Sequence, residues 1–243
     1  MPRQILKTDA PQRSLHRFRF PNESDAYRKA RDALLQEEIE LRRQIERIAA
    51  QRRALPLGGR VPEDYVFEGE VGPVRLSHLF GDHDTLITYN LMFGPRRERP
   101  CPACASLVSG LAGEAREIAE RVSFVVIAKS PIERILGLAR ERGWSDLRFV
   151  SSGANSFNRD YRGETETGNE SPQFNVFTRR DGHVHQTYGG ELMLVGADPD
   201  QDPRAGDLMW PLWNLLDLGP AGRGQNWAPD ETDASRFRFL GDA

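Results

Sequence analysis

The sequence predicts an α/β protein with a mixed central sheet covered by helices on both faces. After residue 60, short apolar runs alternate with helical segments, an order that indicates parallel strands joined by right-handed crossovers. Two of these runs, 85–93 and 123–129, are predominantly apolar, as expected for strands buried on both faces. A later pair of runs around the turn signal Asp181-Gly182 predicts an antiparallel hairpin. The sheet is therefore expected to be partly parallel and partly antiparallel.

The first 60 residues differ in composition from the rest of the chain. They contain 14 Lys and Arg against 8 Asp and Glu, whereas the remaining residues contain 19 against 28. Neither Gly nor Pro occurs between Ser24 and Leu55. Apolar residues recur there at every seventh position, namely Tyr27, Leu34, Leu41, Ile48 and Leu55. We predict an N-terminal helical arm, residues 1–60, built on one long amphipathic helix, and a second domain over residues 61–243. The apolar stripe needs cover, either from the rest of the chain or from a second copy in a homodimer.

The remaining elements follow in chain order. Runs at 65–70 and 74–76, separated by Gly72-Pro73, predict a first hairpin. Strands are expected at 85–93, 123–129, 149–151, 175–178 and 183–188. Ser130-Pro131-Ile132-Glu133 matches a capping box, with Ser130 as N-cap, and Gly143 ends the helix that it opens. Trp210 and Trp213, in the apolar stretch 208–218, are expected in the core.

Composition excludes several functions. The formal net charge is −3, so the molecule presents no basic field for nucleic acid. The longest apolar run, 122–128 with Ser123 as an interruption, is far shorter than the roughly 20 residues of a membrane-spanning helix. No apolar stretch follows Arg3 and Lys7 as it would in a signal peptide. We therefore expect a cytoplasmic protein without membrane or nucleic-acid partners.

The two cysteines form the motif Cys101-Pro102-Ala103-Cys104, which follows the strand 85–93 and opens a helix. Pro102 falls at the first helical position, which makes Cys101 the N-cap with free N–H groups directed at its sulfur. The helix dipole and the upstream Arg96, Arg97 and Arg99 add positive potential. These effects should stabilise the thiolate and lower the pKa of Cys101 below the usual value of about 8.5.

Cys104 lies on the apolar stripe of the same helix, which comprises Cys104, Leu107, Leu111, Ala115, Ile118 and Val122. Cys101 should therefore be exposed and Cys104 shielded. This asymmetry suits a dithiol exchanger, in which an exposed thiolate attacks a disulfide and a buried thiol resolves the mixed disulfide. A zinc site is a weaker interpretation, because zinc needs four ligands and only His83, His183 and His185 are plausible partners. We expect no metal and no cofactor.

The order of strand, Cys-x-x-Cys helix, strand, helix and antiparallel hairpin resembles the thioredoxin fold, a three-layer α/β/α arrangement. More closely, the chain resembles the bacterial thioredoxin-like family known as domain of unknown function 899. The matching stretches are Arg53-Ala54-Leu55-Pro56, Asp64-Tyr65-Val66-Phe67-Glu68-Gly69, Leu79-Phe80, Met92-Phe93-Gly94-Pro95, Gly143-Trp144, Val150-Ser151-Ser152, Phe157-Asn158-Arg159-Asp160 and Leu215-Leu216-Asp217-Leu218. This resemblance implies a thioredoxin-like dithiol function.

The resemblance also implies a cis proline that faces the motif and contacts substrate. Pro172 stands at that place in this sequence, and Pro102 within the motif is the second candidate for substrate binding. Two departures from thioredoxin are visible. Pro100 stands before Cys101 where thioredoxin has an aromatic residue, and the preceding strand offers Thr88 and Asn90 in place of a buried carboxylate. Proton transfer at Cys104 therefore has no evident relay.

Three functions remain open at this point. The first is a thiol-disulfide oxidoreductase with Cys101 as nucleophile and Cys104 as resolving thiol, acting on a disulfide-containing protein or a small thiol with an unidentified electron donor. The second is a thiol peroxidase of the peroxiredoxin type, in which one cysteine is oxidised by peroxide and the other resolves the sulfenic acid. The third is a non-catalytic protein of the same fold, whose helix binds a partner.

Overall fold

The structure is a computed structural model that describes residues 19–199, 204–206, 209–220, 222 and 229. The chain divides into two compact units between Leu55 and Pro56. Among the described residues, no helix is both long enough and apolar enough to cross a membrane.

In the described residues of the first unit there is one helix, α1, over Asp25–Arg53. Its N-cap is Ser24, whose Oγ accepts a hydrogen bond from the Tyr27 N–H at 3.1 Å. The predicted long helix is therefore confirmed. No residue of α1 is buried, and the stripe residues Leu34 and Leu41 are 58% and 60% exposed. Ion pairs such as Arg47 with Glu40 lie along its polar surface.

The second unit is built on one seven-stranded sheet with the order β2-β1-β5-β4-β3-β6-β7. The strands are β1 (Val66–Gly69), β2 (Gly72–Arg75), β3 (Thr85–Asn90), β4 (Ser123–Ala128), β5 (Arg148–Ser151), β6 (Gln173–Arg180) and β7 (His183–Gly189). The helices are α2 (Leu76–Leu79), α3 (Pro102–Ala112), α4 (Ala115–Ala119), α5 (Ile132–Arg142), α6 (Phe157–Asp160) and α7 (Pro211–Leu216).

The sheet is mixed, as the sequence predicts. β3 pairs with β4, and β4 with β5, in the parallel direction. β6 runs antiparallel to both β3 and β7, and β1 runs antiparallel to both β2 and β5. The tight turn between β6 and β7 is made by Asp181 and Gly182, both with positive φ (51° and 75°), which is the geometry of a two-residue hairpin.

Two apolar cores lie on opposite faces of this sheet, because successive side chains of a strand point to opposite sides. One core packs Tyr89 and Phe174 of the sheet against Cys104 of α3 and Ile135 of α5. The other core packs strand residues against α2 and α6, and it includes Phe67, Leu79, Leu86, Phe157 and Phe177. The predicted thioredoxin-like three-layer α/β/α fold is confirmed. Trp210 is 4% exposed within the first core, as predicted, whereas the Trp213 side chain lies outside the described part of the structure.

The start of α5 differs from the predicted capping box. Pro131 is the N-cap, and no side chain of the segment caps the helix. Ser130 is fully buried, and its N–H donates to the Phe93 carbonyl at 3.0 Å. The Ile132 N–H instead donates to Glu68 Oε2 at 3.2 Å, so the cap comes from a distant strand. The predicted end of this helix is confirmed, because Gly143 adopts the left-handed conformation with φ 69°.

Two further boundaries differ. Gly72 and Pro73 lie within β2 rather than in the turn before it, and Gly72 has a φ of 122° that suits glycine alone. The apolar stripe from Cys104 to Val122 does not lie on one continuous helix. α3 ends at Ala112 and α4 begins at Ala115, with Gly113 as the C-cap between them.

Candidate dithiol site

Cys101 occupies the N-cap of α3, with Pro102 as the first helical residue, as the sequence predicts. The chain leaves the carboxyl end of β3 and returns to this position, where the Cys101 N–H donates to the Met92 carbonyl at 3.0 Å. The Cys101 carbonyl accepts from the Ala105 N–H at 2.9 Å, which is the first hydrogen bond of the helix. The proline at the first helical position and the backbone hydrogen bond to Met92 together therefore fix Cys101 at the start of α3.

The two thiols differ in exposure. Cys101 is half-buried at the end of the helix, and Cys104 is 3% exposed within the core between α3 and β3. Both are free thiols, and they lie one helical turn apart at the start of α3. Tyr89 and Met92 pack in the same core as Cys104, and hydrogen bonding from the Tyr89 side chain and the Met92 N–H acts to lower the pKa of Cys104. The exposed and the shielded sulfur are therefore arranged as expected.

The electrostatics of the pair favour a charge on Cys101. The hydrogen bond from Cys104 is the largest cause that lowers the pKa of Cys101, whereas burial raises this pKa. The N–H groups of Cys104 and Ala103 and the charge of Arg97 lower it further. The resulting pKa of Cys101 is about 6. The same hydrogen bond, burial and the charge of Cys101 raise the pKa of Cys104 well above that of an ordinary thiol. Near neutral pH the site holds a Cys101 thiolate and a Cys104 thiol.

The three upstream arginines have different partners. Arg97 donates through Nε to Glu170 Oε2 at 2.7 Å, and its charge is among the main causes that lower the pKa of Cys101. Arg99 forms a bidentate pair with Glu141 of α5, at 2.8 and 3.0 Å. Arg96 donates to the Gly168 carbonyl at 3.3 Å. The arginines therefore attach the segment before Cys101 to its neighbours, and the charge of Arg97 also stabilises the thiolate.

Pro172 lies beside the site but not in the predicted conformation. No cis peptide bond occurs in the described residues, so the expectation of a cis Ser171-Pro172 bond is wrong. The peptide before it is held from both sides, because the Ser171 N–H donates to the Gly163 carbonyl at 3.0 Å and the Ser171 carbonyl accepts from Asn90 Nδ2 at 2.6 Å. Gln173 pairs with Asn90 at the carboxyl end of β3, which puts Pro172 at the sheet edge from which the cysteine segment departs.

Asn90 anchors the segment that follows β5. Its Nδ2 donates to the Gly163 and Ser171 carbonyls, and its Oδ1 accepts from Asn158 Nδ2 at 2.7 Å. A Cβ on Gly163 would lie 2.9 Å from Asn90 Cγ, so this approach requires glycine. Asn90 is thus a structural residue on the sheet face opposite the cysteines and not a proton relay to Cys104.

Tyr89 is the site residue that the sequence analysis missed. It is 1% exposed, and its ring packs against Phe174 with 4.6 Å between centroids. The sequence signal that could have identified Tyr89 is the alternation of side chains between the two faces of β3. Thr88 and Asn90 point to one face of β3 and Tyr89 to the other, which is the face that α3 covers.

Two of the three histidines considered as zinc ligands, His83 and His185, contact backbone carbonyls. His83 Nε2 lies 2.9 Å from the Ala119 carbonyl, and His185 Nδ1 lies 3.2 Å from the Gly58 carbonyl. Within the described residues, no three His, Cys, Asp or Glu side chains are grouped so that they could hold a metal ion.

Fold and site together define an α/β protein in which the central strand leads into a dithiol at the start of a helix. Residues 18–238 match the family described as "Bacterial protein of unknown function (DUF899)". The chain belongs to this family, which confirms the predicted membership. No curated protein matches the chain in sequence.

Several solved structures are similar to the chain. Peroxidoxin BcpB from Mycobacterium tuberculosis shares 18% identity at a TM-score of 0.45, over 67% of this chain and 98% of that one. The hypothetical protein SMc02350 from Sinorhizobium meliloti 1021 shares 18% identity at a TM-score of 0.40, over 72% and 91% of the two chains. The exposed lipoprotein thioredoxin Etrx1 from Streptococcus pneumoniae shares 11% identity at a TM-score of 0.39, over 62% and 99%. These values are too low to transfer an activity.

Proposed function

We propose that the protein is a thiol-disulfide oxidoreductase in which Cys101 is the nucleophile and Cys104 the resolving thiol. The observation that carries this proposal is the asymmetry of the pair. The half-buried Cys101 has a pKa of about 6, whereas the pKa of the buried Cys104 is raised by its hydrogen bond to Cys101. A reactive thiolate and a protonated partner within one helical turn are what sequential exchange requires.

The reaction would proceed in two balanced steps. The Cys101 thiolate attacks one sulfur of a substrate disulfide, a mixed disulfide forms, and the first substrate thiolate leaves and takes up a proton from solvent. Cys104 loses its proton and attacks the Cys101 sulfur, so that the Cys101–Cys104 disulfide forms and the second substrate thiolate leaves. The substrate gains two electrons, and the dithiol is regenerated by an external thiol donor.

The other expected residues keep supporting roles in this proposal. Pro102 and the trans Pro172 would contact the substrate backbone beside Cys101, and Arg97 would stabilise the thiolate while Arg96 and Arg99 hold its segment in place. The substrate would be a disulfide-bearing protein or small disulfide. A reducing compartment such as the cytoplasm would keep the dithiol reduced between cycles.

Trapping of a mixed disulfide tests the roles of the two sulfurs. The Cys104→Ser variant should accumulate a covalent adduct with a disulfide-bearing peptide, because its Cys101 can attack but nothing resolves the product. The Cys101→Ser variant should trap none, because Cys104 is buried and protonated. Non-reducing mass spectrometry of both variants measures this. Adducts formed by Cys101→Ser alone would reverse the assignment.

A thiol peroxidase is the second candidate, and the low pKa of Cys101 favours it as well. A partly exposed thiolate beside a second thiol can be oxidised to a sulfenic acid that the second thiol condenses with. Stopped-flow consumption of hydrogen peroxide by the reduced protein separates the two functions. Consumption faster than exchange with disulfide peptides would favour the peroxidase.

A further inference from the structure

Cys104 packs in one core cluster with Tyr89 and Met92, and two hydrogen-bond donors from these residues act to lower the pKa of Cys104. One is the Tyr89 hydroxyl from β3, and the other is the Met92 N–H from the segment that follows. Met92 also receives the Cys101 N–H on its carbonyl, so one peptide segment contacts both cysteines. Tyr89 is fixed by complete burial and by its ring contact with Phe174. We call the Tyr89 hydroxyl and the Met92 N–H the donor pair.

The donor pair has little effect in the reduced protein. There the Cys104 proton is held by the Cys101 sulfur, whose hydrogen bond and negative charge both raise the pKa of Cys104, together with burial. The two donors act in the opposite direction, but they are outweighed. Cys104 therefore remains a thiol while Cys101 is the thiolate.

Formation of the mixed disulfide changes this balance. Once the Cys101 sulfur is bonded to substrate it carries no charge, so two of the three causes that hold the proton on Cys104 are removed. Burial remains and still opposes ionisation. The donor pair also remains, and in a site that excludes water it replaces the hydration that a thiolate would otherwise need.

Resting on the dithiol function proposed above, we propose that Tyr89 and the Met92 N–H stabilise the Cys104 thiolate during resolution, so that Cys104 becomes a nucleophile only in the mixed disulfide. In this step the Cys104 proton passes to solvent base and the Cys104 sulfur bonds to Cys101. The bond from Cys101 to substrate breaks, and the leaving substrate thiolate takes up a proton. Tyr89 donates a hydrogen bond but keeps its own proton, because burial and its sulfur neighbours raise its pKa well above the usual value.

The two steps can be separated with dithiodipyridine, a small disulfide that releases one coloured thiopyridone at each step. Reduced protein mixed with one equivalent should show a first phase for attack by Cys101 and a second for resolution by Cys104. Tyr89→Phe removes the hydroxyl but keeps the ring. It should leave the first phase unchanged and slow the second about ten- to a hundredfold, as expected for loss of a hydrogen bond to a charged group. The pH midpoint of the second phase should rise.

Tyr65→Phe is the matched control. Tyr65 is also buried, and its hydroxyl donates to Asp160 at 2.8 Å, but it lies in the core on the other face of the sheet. This variant should leave both phases unchanged. Equal effects of Tyr89→Phe on both phases, or no effect on the second, would overturn the role of Tyr89. If the wild type instead retains a stable thiopyridyl adduct and releases no second thiopyridone, the dithiol function itself fails.

The effect of the first step on the pKa of Cys104 can also be measured in the wild-type protein, without any substitution that could impair folding. Alkylation of the accessible Cys101 with iodoacetamide leaves Cys104 beside an uncharged thioether, which imitates the mixed disulfide. The pKa of Cys104, followed by thiolate ultraviolet absorbance, should fall relative to its pKa in the unmodified protein. A value that stays the same or rises would overturn the proposed activation of Cys104 by the first step.

Discussion

At the scale of single residues, Cys101 determines how the site responds to pH. Its pKa of about 6 means that the thiolate fraction rises between weakly acidic and neutral pH and is nearly complete above neutrality. Below this pKa the rate of attack on dithiodipyridine should fall about tenfold per pH unit, because the protonated thiol is unreactive. First-phase rates measured across this range check the prediction. A midpoint near the ordinary thiol value of about 8.5 would contradict it.

The causes of this low pKa can be ranked by substitution. Cys104→Ala removes the largest cause, the hydrogen bond to the Cys101 sulfur, and should raise the pH midpoint of attack most. Arg97→Gln removes a smaller, coulombic cause and should raise it less. Arg99→Gln is the control, because Arg99 pairs with Glu141 and is not among the main causes of the low pKa of Cys101. A larger shift for Arg99→Gln than for Arg97→Gln would contradict this account.

Much of the site could be predicted because its signals are local. Pro102 at the first helical position places Cys101 at the N-cap, and the apolar helix face buries Cys104. Tyr89 required knowledge of which face of β3 meets α3, which depends on the pairing of distant strands. The conformation of Pro172 was inferred from a resemblance, whereas the Asn90 and Gly163 contacts that hold the preceding peptide are long-range.

At the scale of elements, α5 shows a cap supplied by another strand. Glu68 Oε2 of β1 accepts from the Ile132 N–H, whereas the residues of the apparent capping box do not cap the helix. Glu68→Ala should therefore lower the free energy of unfolding by about 1 kcal/mol, the usual value of a helix cap. Glu133→Ala removes the glutamate of the apparent capping box and should lower the free energy of unfolding by a smaller amount. Denaturant unfolding of both variants measures these changes. A greater loss of stability for Glu133→Ala than for Glu68→Ala would support the predicted capping box.

A second contact, from the Ser130 N–H to the Phe93 carbonyl, explains why the start of α5 was predicted wrongly. A capping box is recognised from four consecutive residues, and here the serine of that pattern is drawn into the core by its hydrogen bond to Phe93. The end of α5 was predicted correctly because Gly143 in the left-handed conformation is a purely local device. Elements whose ends depend on local chemistry were therefore predictable, and those completed by partners were not.

At the scale of the whole molecule, the sequence predicts that the sheet is mixed, but it does not predict the full order of the strands. Parallel pairing of β3 with β4 and of β4 with β5 follows from the alternation of strands and helices. The position of the first hairpin beside β5 rests on the single pairing of Glu68 with Ser151, for which the sequence carries no pattern. Which residues cover each face could be predicted only after that order was known.

The exposed apolar stripe of α1 in the N-terminal unit is the feature on which the predicted homodimer depends. Leu41 lies on the exposed apolar stripe of α1, which recurs every seven residues, and such a stripe is typical of helices that associate with a second copy. If the protein is a homodimer through α1, Leu41→Lys should shift it towards the monomer, because a charge in the seam must be desolvated on association. Gln36→Lys adds the same charge to the opposite face and should leave the oligomer unchanged. Sedimentation velocity of both variants measures this, with a chain lacking residues 1–56 as the limiting case. The same oligomer from all three proteins would show that α1 does not hold the copies together.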